Sequence, residues 1–543
     1  MSAPAAVRGT VVQSSPLAGW GTLARIAFRN ERLAIPVTAI VFVLMYVSTA
    51  AALTEAYGTQ QSRDALAATA GTNQAFLLLL GPLDHTQSVA SVMSWRIGLF
   101  LVTTLAVLVV LTVVRHSRKD EELGRLELVR SGRVGALAPI AVAIAYGATL
   151  SVVTGAAAAA TFLAYGGDGM SSLAVGMQYI GVGLAASGIA AVTAQIATTA
   201  RTANTIGTVV VVAGYALRGG GDVEESLGWL RWLSPVGWAQ EIDPFGANRW
   251  WPALLCVLLF LVTAGAAVWM QVHRDLGGGL IAPRPGPAGS TRLKGPLSLT
   301  FRMHTGAWAS WTIAVAAYSA LVGFLLTSVD SLAGDSDQMQ QLIEQLGGSG
   351  ALADSMQVVI SGFIALAAAA WAVTVATHMR SDETAGRVET TLATRVSRRA
   401  LFGSAGFVTF LGVAAMLVLS GLCMGVAHTI TSGNWGDVGR GVAAFAVQIP
   451  AALVVGAVAL VLYAWLPRMT GLSWGVLVVV LVVGLFGELL RLPQWVRDIS
   501  PFTHTPAVPL DSVDPVPLIA MSVVAGVLFA VATVGFGRRD IPS

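Results

Sequence analysis

Apolar stretches of about twenty residues recur along this chain, each closed by charge or by a cluster of Gly, Pro, Asn or Asp, and no other feature constrains the fold so tightly. A helix of that length crosses the hydrocarbon layer with all its backbone hydrogen bonds satisfied internally. Twelve such runs stand out, at 33–53, 93–114, 136–163, 173–197, 203–218, 251–271, 308–328, 356–376, 401–428, 440–464, 471–488 and 515–536. The first is too long for a signal-peptide core and reads as a retained span. Only 11% of the 543 residues are charged, against roughly 25% in soluble domains. That excludes a soluble enzyme, a disordered chain and a nucleic-acid binder. The formal charge of +3 offers polyanions no general field. Cys256 and Cys423 lie inside apolar runs and read as buried small hydrophobes. The expected fold is an all-α polytopic membrane protein.

Arginine and lysine give the orientation. With the N-terminus in the cytoplasm, 24 of the 32 basic residues fall in cytoplasmic segments, whereas 19 of the 29 acids fall outside. One missed span would invert every later loop, so this bias supports twelve crossings of the plasma membrane with both termini cytoplasmic.

Two cytoplasmic loops match at an offset of 262 residues. The first carries His116, Arg118, Asp120, Glu121, Gly124, Arg125, Glu127 and Arg133; the second repeats them as His378, Arg380, Asp382, Glu383, Gly386, Arg387, Glu389 and Arg395. Later, Trp229, Arg231, Ser234 and Pro235 are echoed by Trp495, Arg497, Ser500 and Pro501. The chain therefore reads as a duplication, with a first six-span half at 33–273 and a second at 307–543. An even span count puts the two repeats parallel, related by an axis along the membrane normal. The Gly/Pro-rich stretch 274–306 is a cytoplasmic linker, and 1–32 is a cytoplasmic N-terminus. Within it, 20–32 has the apolar and arginine-bearing faces of a helix lying along the headgroups.

A solvated loop needs only net positive charge, yet the repeat keeps an order of mixed signs. Ordered charge of both signs is what docking onto a partner surface requires. A Glu-Glu-x-Gly-Arg-x-Glu element between the second and third spans of a six-span unit resembles the permease subunit of ABC-2-type exporters. The fused form, with Ser234 to Trp238 reading Ser-Pro-x-Gly-Trp before the sixth span, resembles the tetronasin-resistance type of antibiotic exporter from high-GC bacteria. The resemblance implies coupling helices seated on separate ATP-binding subunits, formed by Asp120, Glu121, Glu122, Gly124, Arg125 and Glu127, and by Asp382, Glu383, Gly386, Arg387 and Glu389. Thr384 and Ala385 depart from the pattern in the second copy.

No Gly-x-x-x-x-Gly-Lys-Ser/Thr loop occurs, and neither lysine, Lys119 or Lys294, lies in a phosphate-cradling context. The chain is then not itself an enzyme. It holds no cofactor of its own, and two copies of a partner subunit would bind ATP and magnesium. The implied function is extrusion of hydrophobic or amphipathic drugs. By the same resemblance the second and fifth spans of each half line the path, with Phe100, Tyr215, Phe363, Trp371, Trp474 and Phe486 as candidates; each also reads as core or lipid-facing packing. Long outer segments carry Trp229, Trp232, Trp238, Trp250 and Trp251, which suit headgroup anchors and an outer gate alike. The alternative is a proton-coupled drug transporter. It would need an acid or histidine near a span centre, whereas Arg96, His428 and Glu488 all fall at span ends. A membrane-embedded enzyme is the third class, and no His-Glu-x-x-His stretch supports it.

Overall fold

In the computed structural model the described residues are 15–72, 74–130, 134–274, 278–279, 293–333, 351–486 and 493–540. Among them every regular element is helical. The chain divides into two compact units, Met1–Gly286 and Pro287–Ser543.

In the first unit, α1 (Trp20–Asn30) has no buried residue and is entered through Gly19 in the left-handed region. A break at Glu31–Leu33 leads into α2 (Ala34–Ala56). Short α3 (Gln60–Thr72) and α4 (Gln74–Leu80) follow, then the long α5 (Val89–Glu122), α6 (Arg125–Arg130), α7 (Ala138–Ala164) and α8 (Gly169–Ile196). The unit closes with α9 (Ala200–Val223), α10 (Pro235–Gln240) and α11 (Trp251–His273). Helix α8 is the centre, packed against α5, α7 and α11. Small residues make that possible, because without an aqueous driving force helices in lipid associate by close backbone approach. A Cβ on Gly183 would lie 2.1 Å from Ser151 Oγ, and one on Gly155 would lie 2.7 Å from the Gly176 carbonyl. A hydrogen bond of 2.6 Å between the hydroxyls of Tyr46 and Tyr179 ties α2 to the same centre.

The second unit contains α12 (Pro296–Ala333), α13 (Ala351–Thr384), α14 (Arg387–Leu392), α15 (Arg398–Ser432), α16 (Gly436–Trp465), α17 (Leu472–Phe486), α18 (Gln494–Arg497) and α19 (Pro515–Arg538). Here α12 is continuous for 38 residues, where the first unit breaks between α1 and α2. Trp371 on α13 is fully buried, and its ring occupies the space a side chain at Gly412 of α15 would need. Trp308 donates to the Gly412 carbonyl at 2.9 Å.

Among the described residues ten helices are long and apolar enough to cross a bilayer, and they coincide with ten of the twelve expected runs. The other two are helices of a different kind. The run at 471–488 becomes α17, whose apolar part, Leu472–Gly484, is short. The run at 203–218 becomes the longer α9, which carries Arg201, Arg218 and Asp222. Such a helix is compatible with a bilayer only if its charges are enclosed by protein. Arg218 and Asp222 are: both side chains are fully buried, 3.0 Å apart, and Asp222 also accepts from Gln240 at 2.9 Å.

Candidate functional site

The two repeated loops fold into the same elbow. Helix α5 ends at Glu122, the chain turns at Gly124 with φ +68°, and α6 leaves from Arg125. In the second unit α13 ends at Thr384, Gly386 has φ +73°, and α14 leaves from Arg387. That backbone region costs an L side chain roughly 1–2 kcal/mol, which is why both copies have glycine. Each elbow is closed by a backbone bond, Gly124 to the Glu121 carbonyl at 2.9 Å and Gly386 to the Glu383 carbonyl at 3.0 Å.

The mixed charges divide by direction. On the outer side Asp120 pairs with Arg125 at 3.1 Å, and Asp382 with Arg387 at 2.6 Å. Glu127 and Leu123 are exposed and Glu389 is half-buried. Leu126 and its counterpart Val388 are buried and seat the short helix on its own unit. Glu121 and Glu383 instead turn inward. Glu121 accepts two parallel bonds from Arg274, Nη1 to Oε1 at 2.8 Å and Nη2 to Oε2 at 2.7 Å, and Arg118 lies 3.3 Å away. All three side chains are 6% exposed or less. Glu383 is held by Arg380 at 3.0 Å and by Arg539. Arg118 donates on to the Ala194 carbonyl at the end of α8, and Arg539 to the Tyr463 carbonyl in α16.

Both triads therefore fasten the elbow to the residue following the last long helix of the same unit, Arg274 after α11 and Arg539 after α19. The pattern of mixed signs predicts a surface for a partner; the structure gives Glu121, Glu122 and Glu383 to internal contacts and pairs Asp120 with Arg125 and Asp382 with Arg387. Arg118 and Arg380 were visible as identical positions of the repeat, whereas nothing near Arg274 or Arg539 in sequence marks them as partners. The departure at Thr384 also has a structural consequence. Glu122 accepts from the Ala200 amide at 3.0 Å and so ties the first elbow to the start of α9, while Thr384 bonds back to the Arg380 carbonyl. Only the first elbow has this tie among the described residues.

The second echo is also matched in space. Ser234 donates to the Gly214 carbonyl at 2.9 Å and Ser500 to the Val480 carbonyl at 3.3 Å, each twenty residues back. Buried serines thus pin the segment before the last long helix of each unit to α9 and to α17. Nearby, Trp232 and Trp251 stack at 5.2 Å, and Trp229, Trp250 and Trp251 are exposed.

The candidate path residues have different surroundings within their own units. Phe100 is exposed on the first unit, and Phe363 and Trp474 are exposed on the second. Tyr215 bonds to the Leu79 carbonyl and lies under the Arg218 guanidinium. The side chain of Phe486 lies outside the described residues. Trp371 lines a cavity of about 250 Å³ with Trp308, Phe301 and His304.

Residues 293–537 match the family model described as "Multidrug efflux system permease Rv1217c, C-terminal domain". The chain is 33% identical over 523 residues to the multidrug efflux system permease protein Rv1217c of Mycobacterium tuberculosis (strain ATCC 25618 / H37Rv), covering 96% of this chain and 94% of that relative.

Proposed function

The chain belongs to the multidrug efflux system permease family, and on that premise we propose that it is the membrane-embedded subunit of an ATP-driven exporter of hydrophobic and amphipathic drugs. Two copies of a separate ATP-binding subunit, which hold the nucleotide and magnesium, dock on the two elbows. The chain crosses the plasma membrane twelve times as two parallel six-span halves, with both elbows and both termini in the cytoplasm. Its physical division into two compact units supports that reading.

The observation that carries it is the doubled elbow, in which a buried glutamate is held by two arginines in each unit. An isolated buried ion pair is often no more stabilising than a well-packed apolar replacement. Two copies of the same pair at the same place therefore favour a role in transmitting force. Pressure on α6 or α14 reaches the last span of its unit through Glu121–Arg274 or Glu383–Arg539, because the elbow cannot turn without moving these contacts. The docking face is the outer one: Asp120, Leu123, Arg125 and Glu127 in the first unit, and Asp382, Arg387 and Glu389 in the second.

Reversing Arg125 and Arg387 together to Glu is expected to abolish drug-stimulated ATP hydrolysis by the reconstituted complex while leaving the permease folded. Efflux into vesicles should stop with vanadate and persist with a protonophore. The opposite pair of responses would select proton coupling, for which the buried Asp222 is the acid to examine. Its bonds with Arg218, Arg231 and Gln240 favour an anchoring role instead.

A further inference from the structure

The first unit holds a second cavity, of about 400 Å³, between α2, α5, α7 and α9. Drug-sized ligands occupy clefts of roughly this volume. Its lining is bipolar. Ile35, Leu108, Leu111 and Leu150 form the apolar wall, and Arg115 and Lys119 stand at the end nearest the elbow. These two cations are one turn apart, within a π-helical turn at Arg115–Lys119 that interrupts α5; such turns are frequent at functional sites.

The acids around that end already have partners. Glu31 pairs with Arg115 and with His116, Asp120 with Arg125, Glu121 with Arg274, and Glu122 with the Ala200 amide. Lys119 has no acid within ion-pair distance among the described residues. The charge is also not a requirement of the fold. Phe28–Arg29 and Phe301–Arg302 align at an offset of 273, so Ile35 corresponds to Trp308, and at 262 Tyr146 and Leu150 correspond to Val408 and Gly412. Trp308, Val408 and Gly412 line the 250 Å³ cavity of the second unit, so the two cavities share three positions of their linings. At the positions of Arg115 and Lys119 the second unit has Thr377 and Ser381. Neither cation is kept in the second unit, whose cavity has Phe301, Trp308 and Trp371 in its wall.

We propose that the cavity of the first unit binds an amphipathic anion, its acidic group on Lys119 and Arg115 and its tail along Leu108, Leu111 and Leu150. This deepens the exporter reading and rests on it for placing that end at the cytoplasmic leaflet. An acidic phospholipid and a soluble carboxylate drug share this chemistry.

The test uses the full chain in phosphatidylcholine nanodiscs, titrated with dansyl-undecanoate and with its neutral amide. The carboxylate should bind saturably and about tenfold more tightly than the amide, the effect of one charge-assisted contact. Lys119→Gln should remove that preference and Lys294→Gln should leave it intact. Leu111→Trp, which fills the apolar end, should weaken both probes. Repeating the titration with phosphatidylglycerol in the disc separates the sources. Displacement of the probe identifies a lipid occupant, and unchanged binding identifies a soluble one; either outcome retains the anion site. Equal affinity for acid and amide, or a folded Lys119→Gln or Leu111→Trp protein that binds the carboxylate like the parent, overturns it. No nucleotide is present, so vanadate-sensitive efflux without anion binding defeats this site alone, and anion binding with vanadate-insensitive efflux defeats the exporter reading alone.

Discussion

Glu121 and Asp120 are neighbours in sequence and opposites in role. One helical step turns a side chain by about 100°, which is enough to send Asp120 to the surface pair with Arg125 and Glu121 into the buried fork of Arg274. Removing Glu121 leaves Arg118 and Arg274 as uncompensated buried charges, a loss of about 3–5 kcal/mol. Glu121→Ala should therefore lower the thermal midpoint of the purified permease sharply, while Glu127→Ala, at an exposed position, should leave it within about 0.5 kcal/mol of the parent. The triple replacement Glu121→Leu, Arg118→Met, Arg274→Met separates stability from transmission. It should regain much of the lost midpoint, yet its ATP hydrolysis should no longer respond to drug. A triple variant with drug-stimulated hydrolysis intact would mean the triad only fastens the loop.

At the scale of the elements, the apolar runs and their breakpoints are written plainly in the chain, because a helix in lipid declares itself by length and by absence of charge. Ten runs became helices of that kind. Less legible was α9, where Arg218 and Asp222 depress the apolar signal and only enclosure by α4, α10 and the Glu225–Leu233 turn makes the pair tolerable. The elbows were legible as repeats, their glycines included. Helix contacts were not, since a glycine that admits a neighbour and one that faces open space look alike in sequence. Gly183 and Gly265 make the contrast. Gly183→Ala would place its Cβ 2.1 Å from Ser151 Oγ, whereas Gly265 has nothing within 4 Å. The first substitution should lower the midpoint and the yield of folded protein. Gly265→Ala should be neutral, or stabilising by up to about 1 kcal/mol, from helix propensity alone.

For the whole molecule, each unit has its own core and its own triad, and among the described residues the arginines that hold each elbow's inward glutamate belong to that elbow's unit. A protease site inserted between Gly286 and Pro287 should accordingly yield two membrane-embedded fragments on cleavage, each still resistant to further digestion. Collapse of either fragment on cleavage would show that its fold depends on the other. The cavities extend the same theme of common architecture with divergent chemistry. Ile35, Tyr146 and Leu150 in the first lining correspond to Trp308, Val408 and Gly412 in the second, while the first also carries Arg115 and Lys119 and the second Trp371 and Phe301.

The amino-acid order alone determined the bilayer as solvent, the helical class, the repeat at 262 and the glycine hinges, because each depends on composition or on residues a few positions apart. Which carboxylate of each elbow faces inward was decided only by tertiary structure, since its arginine arrives from 153 residues away in the first unit and 156 in the second. Long-range packing brings that guanidinium to one face of a helix, and burial there makes the pairing obligatory; no local pattern encodes the meeting.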